Sequence, residues 1–289
     1  MTRLMDGQIA PAEKLIDESM QTLAEVREEN PDLYLSTLQF HALVALYGDD
    51  LDGAVRRGEN GYEQALAVDN RTLQAGCAAL LARAHYLMGD HAEALRWGRS
   101  AYEVGHAIGS AGSARSGATI ELAAQLELGE APNPARFLEQ VDGDLAPGAD
   151  FSLSSDLIIE VLLRLGELER ARRYTDKAAG QGGGRQREAL GALTAAHVAR
   201  HSGASEWRAS KRGYERAGEL AHASGLRSIE IAALLGGGTL AFDRGADDFA
   251  RKLLEAAARR AEEFGFGLYV DQAQRLLNQL PSPEEARAD

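Results

Sequence analysis

The chain has 289 residues, 45% of them apolar, which is ordinary for a folded protein and excludes global disorder. Its net charge of −13 disfavours nucleic-acid binding by the surface as a whole, because the phosphate backbone would be repelled. The single cysteine, Cys77, rules out an intrachain disulfide and a cysteine-cluster zinc site.

The opening MTRLMDGQIAPAEK lacks the charged-then-apolar pattern of a signal peptide. No uninterrupted apolar run reaches the roughly 18 residues needed to cross a bilayer. The stretch Ile229 to Phe242 comes nearest, but it holds Glu230 and three consecutive glycines. These features together predict a protein of the reducing cytoplasm.

Apolar residues recur at helical spacing, as in Leu73, Cys77, Leu80, Leu81, Ala84 and Leu87, with almost no strict alternation, so an all-α fold is expected. One turn then repeats along the chain. Its glycines are Gly7, Gly48, Gly89, Gly129, Gly166, Gly203 and Gly245, at intervals of 41, 41, 40, 37, 37 and 42 residues. Each follows an apolar helix and is expected to end it in the left-handed conformation. An acidic residue often comes next, suited to the start of the following helix.

The repeating unit is therefore helix A, glycine turn, helix B, second turn. In chain order the B helices are predicted at 8–29, 50–68, 91–108, 132–141, 167–180, 204–223 and 246–264. The A helices are predicted at 31–47, 71–88, 113–128, 152–165, 185–201, 225–244 and 267–280. Small residues follow each glycine, at Ala12, Ala54, Ala94, Ala135, Ala171, Ala209 and Ala250, where the two helices of a hairpin must approach closely. Bulky anchors come next: Leu15, Trp97, Leu138, Tyr174, Tyr214 and Leu254. The array is read as one domain over 1–281, with a disordered tail at 282–289. The first repeat has no A helix, which would leave the apolar flank of helix 8–29 (Ile9, Leu15, Ile16) bare.

The Gly89-Asp90 turn, Ala94 after it, and the small-and-aromatic helix before it resemble tetratricopeptide repeats, 79–95 being the best match. The resemblance covers nearly the whole chain. The usual repeat is about 34 residues; the period nearer forty is similar to the long-repeat, MalT-like sensor domains of bacterial regulators. That resemblance implies a right-handed α-α superhelix of six to seven hairpins that binds a protein or peptide and catalyses nothing. It implies no cofactor. No DNA-binding helix-turn-helix and no phosphate-binding GxxxxGK[ST] accompanies it.

In such arrays the A helices line the concave face. Counting back two, three, six and ten residues from each turn glycine selects Arg83, Tyr86, Thr119, Glu127, Asp156, Glu160, Arg164, His197, Arg200, His201, Thr239 and Asp243 as groove-facing. The groove so defined runs from acidic to basic. Residues 164–216 carry twelve Lys/Arg against six acids, read as a solvated helix face or a local patch for an acidic partner or nucleic acid. A homo-oligomer built on the bare N-terminal helix is the alternative use of the array.

Other residues have a chemical reading and a plainer one. His197 and His201 stand one helical turn apart, a spacing that can grip metal, but no third ligand is evident, so no metal site is expected. His85, Tyr86 and His91 flank a turn with no nucleophile beside them, which favours packing over catalysis. Cys77 reads as a buried thiol. Gly182 to Gly184 and Gly236 to Gly238 lack the context of a phosphate loop; the second triplet is expected to permit close helix approach or a kink.

Overall fold

The computed structural model describes residues 9–145, 155–179 and 184–281. Gly7 and the tail 282–289 lie outside them, as does the side chain of Ile9. The described residues are all-α, with fourteen α-helices and no strand. In chain order these are α1 (Ile9–Glu25), α2 (Pro31–Tyr47), α3 (Leu51–Ala67), α4 (Arg71–Met88), α5 (His91–Ala107), α6 (Ala111–Leu128) and α7 (Ala135–Leu145). They continue as α8 (Ser155–Arg164), α9 (Leu168–Ala179), α10 (Arg185–His201), α11 (Trp207–Ser224), α12 (Arg227–Asp243), α13 (Asp247–Phe264) and α14 (Gly267–Leu277). None is long and apolar enough to cross a membrane. The chain divides into two compact units, residues 1–161 and 162–289.

Within the units, α1 to α7 and α9 to α14 each pack on their sequence neighbours, the arrangement of a helical-repeat solenoid. Even-numbered helices are the A helices. The pairs α2–α4, α4–α6, α10–α12 and α12–α14 also touch, whereas successive B helices make at most marginal contact. Within each unit these A helices therefore form an inner layer and the B helices a splayed outer one.

The turns explain this regularity. After α4, the Gly89 amide donates to the Tyr86 carbonyl and the Asp90 amide to the His85 carbonyl, the paired bonds of a Schellman motif. The same pair of bonds closes the turns at Asp49, Asp69, Gly109, Gly129, Gly166, Gly225, Gly245 and Gly265, all with positive φ. In three turns the next residue also caps the following helix: Asp50 accepts from the Gly53 amide at 2.9 Å, Asn70 from Leu73 at 3.0 Å and Asp90 from Glu93 at 3.3 Å.

Two turn glycines depart from expectation. Gly48 has φ −82°, and Asp49 takes the left-handed position at φ +62°, a conformation that Asp tolerates better than most residues. Gly203, at φ 115° and ψ 174°, keeps a positive φ that favours glycine but lies outside the left-handed helical region, and it leads into a 3₁₀ turn, Ala204–Glu206. That turn shifts the next register by one. Ala209 is half-buried, and Ser210 is the residue fully buried, its hydroxyl donating to the Ala196 carbonyl at 2.9 Å. Ala135 is exposed because α7 begins there instead of at 132, so Phe137 and Val141 fill the core.

Ala54, Ala94, Ala171 and Ala250 are at most 1% exposed, as close helix approach requires. The tightest approach to another helix's backbone joins α5 to α6, where a Cβ on Gly117 would lie 2.4 Å from the Tyr102 amide nitrogen. Among the anchors, Tyr174 and Leu254 are fully buried, but Leu15 is 47% exposed on α1. Leu33 and Phe40 on α2 are likewise exposed, at 56% and 47%. No A helix precedes α1 among the described residues to cover them.

Candidate partner-binding surfaces

The counted A-helix positions fall into self-paired groups. In the first unit, Arg83 on α4 reaches Asp156 at the start of α8, Nη2 to Oδ2 2.7 Å, spanning from one A helix to the next but one. Both side chains are half-buried. Tyr86 is only 1% exposed, with His91 beside its ring, and so offers no surface to a partner: its helix turns it into the core. Thr119 is buried too, donating to the Arg115 carbonyl of its own helix. Glu127 and Glu160 are half-buried.

In the second unit, Arg164 is exposed at the end of α8. Arg200 on α10 donates to Asp243 at the end of α12, Nε to Oδ2 2.7 Å. His197 meets the Tyr214 hydroxyl through Nδ1 at 2.9 Å, with its ring edge-on to the phenol. Burial pushes the Tyr214 hydroxyl up to about 12, against the opposing charge of Arg200. His201 donates from Nδ1 to the carbonyl of His197 at 2.9 Å, and Thr239 donates to its own helix at Leu235. Each histidine thus has one ring nitrogen engaged within the protein. Burial also pushes the Cys77 thiol up to about 12. In the basic segment 164–216, Arg170, Arg172, Lys211, Arg216 and Arg200 each have a carboxylate partner.

A different surface in the second unit is open. A groove of about 490 Å³ lies over α12, between the outer helices α11 and α13. Its floor is the stripe Glu230, Ala233, Leu234, Gly237, Leu240 and Ala241 of α12, with Arg244 at that helix's C-cap. One wall is Trp207, Lys211, Tyr214, Glu215, Gly218 and Glu219 of α11; the other is Ala246, Phe249 and Leu253 at the start of α13. The helix spacing of these residues, repeating every three or four, presents one continuous face from each element.

Glycine makes the floor. Gly236 and Gly238 admit neighbours closely: a Cβ on the first would lie 2.3 Å from Tyr214 Cε1, and on the second 2.8 Å from Leu254 Cδ2. The helix runs unbroken through the triplet, so of the two expected uses, close approach and a kink, it serves the first. Gly237 faces the groove, with only Leu253 Cδ1 at 3.4 Å from an added Cβ.

Two of the corresponding gaps in the first unit are bridged. Between α3 and α5, Tyr62 and Trp97 meet edge-to-face at 4.9 Å, with the Arg96 guanidinium 4.1 Å over the indole. Between α5 and α7, Arg136 lies 4.9 Å over the Tyr102 ring. Over α12 the large residues stand on the rims instead, Phe249 being 47% exposed. The counting rule missed this groove because it looked only at A-helix positions near the turns. The available signals were Trp207 and Phe249, aromatic residues in the first turns of two outer helices.

No family model matches the sequence, and no curated protein is significantly similar to it. The functional reading therefore rests on the geometry above.

Proposed function

We propose that this chain is a non-catalytic module that binds a protein or peptide, of the tetratricopeptide-like class with a long, MalT-like repeat, serving a bacterial regulatory protein in the cytoplasm. One observation carries the reading. The groove over α12 is apolar and rimmed by aromatic residues, while the gaps over α4 and α6 in the first unit are filled by the chain's own side chains. An open apolar concavity with few polar groups at its edge is the usual form of a binding site. The absence of catalysis is supported by the engagement of His197 and His201 and by the high pKa of the buried Cys77 thiol.

The test is to pan a displayed peptide library against the protein and compare wild type with Gly237→Phe, which places a ring in the groove. Peptides of micromolar affinity that the variant rejects are expected. Peptides that bind both proteins equally would refute the groove as the binding site.

A second reading is favoured by the exposed Leu15, Leu33 and Phe40: self-association through α1 and α2. Light scattering across a concentration series should then show a dimer that Phe40→Glu with Leu33→Glu disperses. A monomer at high concentration refutes it.

A further inference from the structure

We propose that the groove over α12 receives an amphipathic helix of a protein partner, lying along α12, with its acidic end over Trp207 and Arg244 and its basic end over Glu219. This rests on the reading of the groove as a partner site.

Three observations carry it. The first is length. The floor runs from Glu230 to Arg244, fourteen helical steps or about 21 Å at 1.5 Å per residue, which matches a partner helix of about four turns. The second is backbone chemistry. Floor and walls are helices whose main-chain groups are bonded internally, so an extended peptide would find no strand edge to pair with. Its amides would lie unsatisfied on an apolar floor, whereas a helix brings its own bonds and offers only side chains.

The third is charge. α11 and α12 run antiparallel, so Trp207 lies beside Arg244 and Gly218 beside Ala233. At the Trp207 end, the guanidinium groups of Arg208 and Arg244 each lie 5.4 Å from the indole centroid. Neither has a carboxylate within ion-pair distance among the described residues. Asp247 and Asp248, in the first turn of α13, lie outside the groove's lining. Midway, Lys211 and Glu215 satisfy each other. At the far end, Glu230 is braced by Arg260 and His222, both at 3.1 Å. Glu219 there is 71% exposed and held only by Arg216 at 3.8 Å. Among the lining residues, Arg244 thus makes one end cationic, and Glu219 with Glu230 makes the other anionic, so a helix of opposite order complements it.

The experiment displays helical peptides that share an apolar stripe and vary both terminal turns among Asp, Glu, Lys and Arg. These are panned on wild type and counter-selected on Gly237→Phe. Phe249→Ala, a change at an exposed position, serves as a second groove variant, and thermal melts confirm that both are folded. The expected recovery is peptides acidic at one end and basic at the other. Arg244→Glu should weaken a recovered peptide about tenfold, and lysine at its acidic end should restore the affinity. Recovered peptides without charge segregation, or an affinity that Arg244→Glu leaves within twofold, overturn the proposal while the groove stands as a partner site. Recovery of no peptide that both groove variants reject overturns the groove reading as well.

Discussion

Gly117→Ala and Gly237→Ala make the same chemical change in the middle of two A helices and should move stability in opposite directions. Alanine favours a helix interior over glycine by about 1 kcal/mol, and both variants gain this. At Gly237 the new methyl has ordinary room, 3.4 Å to a flexible leucine carbon, so the gain survives nearly whole. At Gly117 the methyl would lie 2.4 Å from the Tyr102 nitrogen, 2.6 Å from the Gly98 oxygen and 2.9 Å from the Tyr102 Cα. All three are backbone atoms, so α5 and α6 must separate. Overpacking of this kind costs about 1–3 kcal/mol, and with no side chain able to yield, the upper figure applies. The net expectation is about 2 kcal/mol of destabilisation for Gly117→Ala and about 1 kcal/mol of stabilisation for Gly237→Ala. Urea unfolding followed by circular dichroism reads both, with melting temperatures as a check; shifts of about 2–4 °C per kcal/mol suit units of this size. A Gly117→Ala midpoint equal to or above wild type would mean that α5 and α6 are not in backbone contact.

Arg115 and Asp144 form an ion pair buried on both sides, tying α7 to α6. Arg115→Ala should destabilise by about 3–5 kcal/mol, and Arg115→Met with Asp144→Leu should recover most of that, measured by the same urea titration. His41 is held below its ordinary value of 6.5 by burial and by Arg57, with Asp17 at 3.0 Å opposing. The folded state therefore prefers the neutral ring. Its contribution to stability is complete above 6.5 and is lost as pH falls through the lowered folded value. An NMR titration should place the His41 midpoint below 6.5, and Arg57→Ala should raise it; a midpoint above 6.5 would contradict the burial. Cys77, fully buried, should react with a thiol reagent at neutral pH only as fast as the protein opens, so labelling within the mixing time would be inconsistent with its packing.

The helices were legible because their punctuation is local. A glycine in left-handed conformation and a side chain that caps the next helix are both encoded within a few residues, and α2, α4 and α10 match their expected bounds. Asp49 escaped notice because the turn slid by one residue onto a side chain that tolerates positive φ. Ser210 escaped because the 3₁₀ turn before α11 changed the register. Counting from the glycines found A-helix residues that do come together, Arg83 with Asp156 and Arg200 with Asp243. It could not show that these charges neutralise one another, nor that Tyr86 turns inward, since both depend on which helix lies opposite. The groove over α12 is further from the sequence still. It exists because no side chain of α11 or α13 spans the gap that Tyr62 and Trp97 span between α3 and α5, and that is a property of three helices at once.

The turns at Asp49, Asp69 and Gly89 also govern where the chain tolerates a change of length. At each, the residue that closes one helix stands directly before the residue that caps the next, so a single insertion or deletion would undo both ends together. Segments 130–134 and 202–203 have no such coupling: they lie between the end of one helix and the start of the next helix or 3₁₀ turn, with no residue that closes one directly before a residue that caps the other. Affinity tags, fluorescent reporters and circular-permutation breaks belong in those two segments, and natural length variation should collect there as well.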